Sequence, residues 1–435
     1  MMFNKILQFT QSKTKYLYEN SLFLQNIDKL IFASIAAVYL SSTVMSSDII
    51  GFIALIAVFL TVIKLIFKPD ERLDYKTFEL WLLAYFMIVI ISLFGSTLFS
   101  LSLKGFFKTF TYLAFYLSIV QYLKNNKTKI PYILGIIGLC VSFESVVGFL
   151  QNFAHVEEIS TWQDVSNLNP EQVMTRVYGT LQPLNPNLLG GYFVAGIPAL
   201  YGLSAYCFVD KKYRLSLIGL LLALLSTLTL FLTGCRGSYI GMFVILSGMF
   251  AVSAKYLWQN YKTIYLSFVG GIVAFATTAI LCISSLRARV LSIFAMRQDS
   301  SNSFRFNVYQ SSVEMFKDNW LLGIGVGNKN FREIYGLYMK TGFDALSAYN
   351  IYLEIAVESG IFALIAYLGF LITLINNAIK FIWKSSDTKS VILVAAALIS
   401  ICAVSIHGFV DTVFFRPQIQ FVFWTMAAIV RVVIK

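Results

Sequence analysis

Long runs of apolar residues restrict the fold of this chain more than any other feature. About 20 apolar residues in a row span a bilayer as a helix, and 58% of the 435 residues are hydrophobic. Charged residues make up only 13%, which is about half the usual fraction in soluble domains. So few charges cannot cover a water-soluble core of this size. The sequence therefore predicts an all-α integral membrane protein.

About twelve segments are predicted to cross the membrane. They are 30–45, 49–67, 78–98, 105–122, 131–150, 187–209, 214–233, 237–253, 263–283, 351–376, 390–409 and 417–434. Residues 1–29 form a polar N-terminal segment, and residues 30–435 form the membrane domain. A hydrophilic stretch covers 151–186, and a larger loop covers 284–350, between the ninth and tenth spans.

The basic residues predict the orientation of the chain. Lysine is concentrated in the short connectors on one side of the spans, and such connectors remain in the cytoplasm. Both termini are therefore predicted to be cytoplasmic, with both long hydrophilic stretches outside. The net charge of +12 then reflects topology, and no nucleic-acid partner is predicted.

Arginine is distributed differently from lysine. The predicted external side carries eight arginines and five lysines; the arginines are Arg176, Arg236, Arg287, Arg289, Arg297, Arg305, Arg332 and Arg416. A guanidinium presents a rigid fork of donors that matches phosphate or carboxylate. Lipid headgroups or salt bridges would explain any single arginine, but for the whole set we favour an anion site.

Two predicted external turns carry arginine next to a span. In the first, Asn187 could cap the following helix and leave backbone amides for an anion, with Arg176 nearby. A plain turn would explain the asparagines and prolines of this segment but not Arg176. In the second, Arg236 lies between two glycines close to the hydrocarbon, where a charge is costly and indicates function. Arg236 is the strongest single candidate.

The loop 284–350 contains a predicted surface helix and a glycine-rich turn. Apolar residues at 306, 309, 313 and 316 predict a one-faced amphipathic helix over 303–317, on or beside the bilayer. The glycine-rich stretch 323–327 lacks the strand and helix that frame a phosphate loop, so a flexible turn is predicted there.

Polar groups also mark the external ends of the last three spans. Asn350, Glu354 and Glu358 share one helix face, so the carboxylates could pair with arginines or act as a general base. For Glu358, pairing is the preferred interpretation. His407 and Asp411 are four residues apart, which allows an imidazole–carboxylate pair if the helix persists. That pair could be catalytic or structural.

Cysteine and histidine do not predict a metal site. The five cysteines lie in or beside apolar runs without a CxxC pair, so we interpret them as packing residues. The chain has only two histidines, His155 and His407. No metal ion and no cofactor are therefore expected.

Five strings in order resemble the O-antigen ligase and polymerase superfamily (Wzy/WaaL-like) of bacterial inner-membrane proteins. They are RVYGTLQPLNPNLLGGY, LTGCRGS, SSNSFRFNVY, LSAYNIYLEIAVESG and HGFVDTVFFRPQ, from residue 176 to about 418. The resemblance is closest to the IctB branch, named for a cyanobacterial protein assigned to bicarbonate transport. The predicted spans, cytoplasmic termini and late external loop match the layout of that superfamily.

The resemblance implies glycan transfer at the outer face of the bacterial inner (plasma) membrane. The donor would be a polyprenyl-diphosphate-linked glycan, the acceptor a glycan or a lipid, and the reaction inverting and metal-independent. Arg236, together with Arg176 or Arg305, would hold the diphosphate. The other predicted binding residues are Arg416, Asn187 and Asn350.

The resemblance also leaves the catalytic base open. Ligases of the superfamily carry a histidine before the helix that follows the late loop, where this chain has Tyr349 instead. Glu354, the His407/Asp411 pair or the Tyr349 hydroxyl would have to replace that histidine. The long loop would control access of the acceptor.

Two other functions are open alternatives. An inorganic-carbon (bicarbonate) or other anion transporter would carry repeats and polar groups deep in the bilayer. We find no repeat, and the central parts of the spans are almost free of charge, with Glu144 as a notable exception. A non-catalytic accessory protein would leave the arginines unexplained. The sequence favours a glycan ligase or polymerase that contacts membrane lipids.

Overall fold

The protein is an all-α integral membrane protein. The computed structural model describes residues 2–73, 75, 77–154, 176–295 and 300–434, and it contains no β-strand within these ranges. His155, Arg297 and most of the predicted hydrophilic stretch 151–186 lie outside the described residues.

Within these ranges the chain forms a succession of helices. They are α1 Met2–Asn20, α2 Leu22–Gln25, α3 Ile27–Ser42, α4 Ser47–Phe67, α5 Thr77–Gly95, α6 Phe99–Leu123, α7 Ile130–Phe153, α8 Pro186–Val209, α9 Tyr213–Leu232, α10 Arg236–Leu257, α11 Lys262–Cys282, α12 Ser284–Ile293, α13 Ser300–Asp318, α14 Asn328–Tyr335, α15 Ile351–Lys384, α16 Thr388–His407 and α17 Pro417–Val433.

Each of the twelve predicted spans coincides with one of these helices. In the described part of the chain, nine helices are long and apolar enough to cross a membrane: α4, α5, α7, α8, α9, α10, α11, α15 and α16. The other three are α3 and α17, with 16 and 17 residues, and α6, which carries Lys104 and Lys108. The total of twelve crossings stays a prediction.

Small residues bring the central helices of the bundle close together. Helix α8 packs against α7, α9, α10 and α16. A Cβ at Gly202 of α8 would lie 2.4 Å from the Cβ of Ala396 of α16, so only glycine permits this approach. Such contacts are typical of membrane helices, which gain their association energy from close packing.

Charged side chains at one end of the bundle are paired with each other. The Lys64 ammonium is fully buried and lies 2.9 Å from Asp28 and 3.6 Å from Glu71. Arg431, near the end of α17, donates to Glu79 at 2.5 Å. Pairing removes most of the cost of burying these charges. That this end faces the cytoplasm stays a prediction.

Helix α15 is broken at Gly360, which has φ 80° and ψ 175°. The turn over residues 319–327 fits against the break: Ile324 and Gly325 donate backbone N–H groups to the carbonyls of Val357 and Glu358 at 3.0 and 2.9 Å. The prediction of a flexible surface turn was wrong, because these bonds fix the turn against carbonyl groups that the broken helix leaves free.

The described residues of 284–350 form a folded layer that contains α12, α13 and α14, and α13 and α14 share a small core with the first part of α15. The predicted helix over 303–317 lies within α13, and a different face of it from the predicted apolar one is buried in the protein. That the predicted apolar face lies on or beside the bilayer stays a prediction. Val308 and Met315 are fully buried, whereas Val313 is 39% exposed. The face of α13 that carries Val308 is buried because this face packs against the first part of α15.

Candidate anion-binding site

A cavity of about 480 Å³ lies where the folded layer meets the starts of α8 and α17. Its charged and polar lining residues are Ser47, Lys108, Tyr112, Arg176, Asn185, Asn187, Ser301, Arg305, Asn328, Ser347, Tyr349, Asp411, Thr412 and Arg416. Among the described residues, its lining contains four cationic side chains and one carboxylate. The cavity is therefore suited to an anion.

Six of the ten predicted site residues line this cavity: Arg176, Asn187, Arg305, Tyr349, Asp411 and Arg416. They come from four separate stretches of the chain. The remaining four are Arg236, Asn350, Glu354 and His407, which lie outside its lining. Lys108, on α6, is a lining residue that the sequence analysis did not single out, because it follows Lys104 at the start of an apolar run that predicted a span.

Arg176 is held in place by the turn that follows α9. Its Nε donates to the carbonyl of Thr233 at 2.9 Å, and one terminal nitrogen donates to Asn187 Oδ1 at 2.6 Å. A Cβ at Gly234 would lie 3.2 Å from the Arg176 side chain. The arginine is thus positioned before any ligand arrives, which lowers the entropic cost of binding.

Two helices begin at this cavity. Asn185 caps α8, accepting from the backbone N–H groups of Asn187 and Leu188. The prediction that Asn187 is the cap was wrong, because Pro186 takes the first helical position and its predecessor becomes the cap. Pro417 at the start of α17 lines the same cavity. The partial positive charge of both helix ends also favours an anion.

Arg305 carries a buried donor that no acceptor among the described residues satisfies. Its Nη1 donates to Ser301 Oγ at 3.2 Å, and its Nη2 lies 3.9 Å from Asp411 Oδ2. The Nε atom is buried without a hydrogen-bond partner in the described part of the chain. A buried donor that lacks an acceptor is costly, so this side chain is set up to bind an anion.

Tyr349 lies beside Arg305 in a strained backbone conformation. Its φ is 51°, which non-glycine residues seldom adopt and which is typical of functional sites. Burial, together with the charge of Asp411, raises the pKa of Tyr349 to about 12. The phenol therefore stays protonated near neutral pH, where it can donate a hydrogen bond but cannot serve as a base.

If the chain carries out the glycan transfer that the resemblance implies, Tyr349→Phe should lower its rate by less than about tenfold, since one hydrogen bond contributes about 1 kcal/mol. The rate profiles of variant and wild type should be parallel between about pH 6 and 9, because the phenol does not ionise there. Rates measured across that range would check this. A change of the wild-type rate at basic pH that is absent from the variant would contradict this prediction.

A second, smaller cavity of about 60 Å³ holds Glu354 and Glu358. Glu354 Oε2 accepts from the backbone N–H of Ala348 at 3.1 Å, and Glu358 Oε1 accepts from that of Gly327 at 2.8 Å. Neither carboxylate has an arginine partner within the described residues. The sequence analysis preferred a pairing of Glu358 with an arginine. In the structure, Glu358 instead accepts a backbone N–H of the 319–327 turn.

The two cavities adjoin each other. Lys108, Tyr112, Asn328 and Phe415 line both. The small cavity has room for a few water molecules, and its lining includes Tyr367, whose hydroxyl is buried without a partner among the described residues. Water there could connect the buried carboxyl groups to the larger cavity.

Arg236 and Asn350 have structural contacts. Arg236 Nη1 donates to the carbonyl and the hydroxyl of Ser292 at 3.2 and 3.1 Å, which joins α10 to α12. Asn350 caps α15 by accepting from Tyr352 and Leu353, and its amide donates to Phe409. Both residues support the elements around the cavity, outside its lining.

His407 ends α16, so the helix does not continue to Asp411. The following turn nevertheless brings the two side chains together, and Cys235 joins them from the turn after α9. No sequence spacing could have revealed this cluster, because Cys235 and His407 are far apart in the chain.

Part of the chain that builds this site matches a known protein family. Residues 221–368 match the family model described as O-Antigen ligase. That match includes the turn after α9, Arg305, Tyr349 and both glutamates. These findings support the O-antigen ligase and polymerase superfamily and a multi-pass bacterial membrane protein.

One curated relative is the teichuronic acid biosynthesis protein TuaE of Bacillus subtilis (strain 168). It is 27% identical over 190 residues, which are 41% of this chain and 37% of the relative. The chain thus matches well under half of that relative's length. The likeness supports a membrane glycan ligase or polymerase in general terms.

Proposed function

We propose that this protein transfers a glycan from a polyprenyl diphosphate carrier to a glycan or lipid acceptor, at the outer face of the inner membrane. The observation that carries the proposal is the 480 Å³ cavity with Lys108, Arg176, Arg305 and Arg416 in its lining. Such a set of cations matches the charge of a diphosphate, and bidentate arginine contacts match its geometry.

The cavity would stabilise the leaving group of the reaction. The acceptor hydroxyl oxygen attacks the anomeric carbon, the bond from that carbon to the diphosphate oxygen breaks, and the electron pair leaves with the diphosphate. Cationic donors placed where this charge develops lower the barrier. Arg305 fits this role best, because its buried Nε has no other acceptor in the described residues.

Glu354 is the best candidate to accept the proton of the acceptor hydroxyl. Tyr349 stays protonated, and His407 lies outside the lining of either cavity. Asp411 lies beside Arg305, with Oδ2 at 3.9 Å from Nη2, so it stands next to the side chain that would hold the diphosphate. Glu354 faces the small cavity, where a water molecule could carry the proton to it.

This proposal includes three finer points: the likeness to the IctB branch, the location in the inner membrane, and an O-antigen ligase-like core over residues 176–418. The family match over 221–368 lies inside that core. Bicarbonate transport is the alternative, but no contact in the described residues favours it over glycan transfer.

A deletion strain complemented with wild-type protein tests the proposal. We expect the deletion to shorten or remove a surface glycan and to accumulate its lipid-diphosphate-linked precursor. The purified protein should release polyprenyl diphosphate from that precursor only when an acceptor is present. Unchanged glycans and precursors in the deletion strain would overturn the proposal, and labelled bicarbonate uptake would then be measured.

A further inference from the structure

Cys235, His407 and Asp411 form a buried cluster behind the large cavity. The thiol sulfur, one imidazole nitrogen and one carboxylate oxygen all lie within 4.8 Å of one another. The three residues are only 4%, 3% and 5% exposed. They come from the turn after α9, the end of α16 and the turn before α17.

The imidazole of His407 is fixed in orientation, and one of its two nitrogens lacks a hydrogen-bond partner within the described residues. A Cβ at Gly237 would lie 2.7 Å from Nε2, and a Cβ at Gly191 would lie 3.2 Å from Cε1. The ring is therefore held between two helices that carry glycine at these positions. Its Nε2 is buried with no hydrogen-bond partner among the described residues, which is costly for a polar atom.

The carboxylate of Asp411 also keeps one oxygen available. Oδ1 accepts the backbone N–H groups of Thr412 and Val413 at 2.7 and 3.1 Å. Oδ2 lies 3.9 Å from Arg305 Nη2, which is too far for a hydrogen bond. Both Oδ2 and the imidazole thus have coordination capacity to spare.

We propose that Cys235, His407 and Asp411 bind one zinc ion. Zinc takes sulfur, nitrogen and oxygen ligands at about 2.0–2.3 Å, so tetrahedral ligand atoms lie about 3.3–3.8 Å apart. The longest separations in the cluster would need to contract by up to about 1.5 Å to reach that geometry. The thiolate and the carboxylate balance the charge of the ion, and a thiolate–imidazole pair disfavours magnesium or calcium.

The ion would join two turns that build the large cavity. Cys235 follows Thr233, whose carbonyl holds Arg176, and Asp411 itself lines the cavity. Three protein ligands leave a fourth position on the ion, which a water molecule would fill. We propose that the ion stabilises these two turns and is not required for the chemistry of glycan transfer. This inference is independent of the proposed function, because it concerns metal content and stability alone.

Metal analysis of the purified protein tests the proposal. After incubation with zinc and removal of free metal, we expect about one zinc per wild-type chain and at least a tenfold lower content in Cys235→Ser and His407→Gln. Cys140→Ser is the matched control, because Cys140 is equally buried but lies outside the cluster. Its zinc content should equal that of the wild type.

Two further measurements keep the result clear if a variant folds poorly. A chelator should lower the unfolding temperature of the wild type, because an ion that binds only the folded state stabilises it. Cobalt-substituted wild type should show a thiolate-to-cobalt charge-transfer band. Wild-type protein that holds no zinc and gives no such band would overturn the proposal and leave a thiol–imidazole hydrogen bond in its place.

Discussion

Replacing Glu354 with glutamine should slow glycan transfer by about 100-fold or more, the usual contribution of a general base. The amide keeps the shape of the side chain and can still accept from Ala348 N–H, but it cannot take up a proton. We therefore expect kcat to fall while donor binding changes little. The initial rate of polyprenyl diphosphate release by the purified protein would measure this.

Glu358→Gln is the matched control for that variant. Glu358 lines the same small cavity and accepts from Gly327 N–H, a bond that a glutamine oxygen can also make. Its transfer rate should stay within about tenfold of the wild type. Equal losses in the two variants would mean that the glutamates only hold the backbone at Ala348 and Gly327. A near-normal Glu354→Gln rate would remove Glu354 as the base.

Replacing Arg305 with alanine should lower the rate of transfer by about 100- to 1,000-fold, as expected for loss of a donor that stabilises developing charge. Arg305 lies at the centre of the lining, between Ser301, Tyr349 and Asp411. Lysine at this position keeps the charge but loses the fork of donors, so Arg305→Lys should recover only part of the rate. Transfer from the lipid-linked donor would measure both variants.

Arg332→Ala is the control for Arg305→Ala. Arg332 is also in the folded layer, but it is exposed and paired with Asp344 at 2.5 Å, away from the cavity. Such an exposed pair contributes at most about 1 kcal/mol, so the control should transfer glycan at the wild-type rate. If Arg305→Ala matched this control, the arginine would have no role in binding the diphosphate.

The apolar runs predicted the helices well because a bilayer demands that every backbone group bond within its own segment. They could not predict which face of α13 is buried, since that depends on distant partners. Val308 faces the first part of α15 and is buried, while Val313 of the same helix is exposed. The break at Gly360 likewise depends on the 319–327 turn, which bonds to it from elsewhere in the chain.

The candidate site was predicted in part. Arginine on the external side indicated an anion site, and Arg176, Arg305 and Arg416 do line one cavity. The sequence could not rank them: Arg236 was the strongest candidate, yet it donates to Ser292 outside the lining. Lys108 was missed because it follows Lys104 at the start of an apolar run that predicted a span.

The charge of the large cavity has a consequence for turnover. Four cations and one carboxylate line it, and they attract the spent carrier at least as strongly as the donor. The spent carrier keeps the diphosphate, and loss of the glycan exposes one more ionisable oxygen on it. After the reaction, the spent carrier would therefore leave the cavity slowly. The time until the cavity is empty would then depend on arriving donor molecules and on enzymes that dephosphorylate the free carrier.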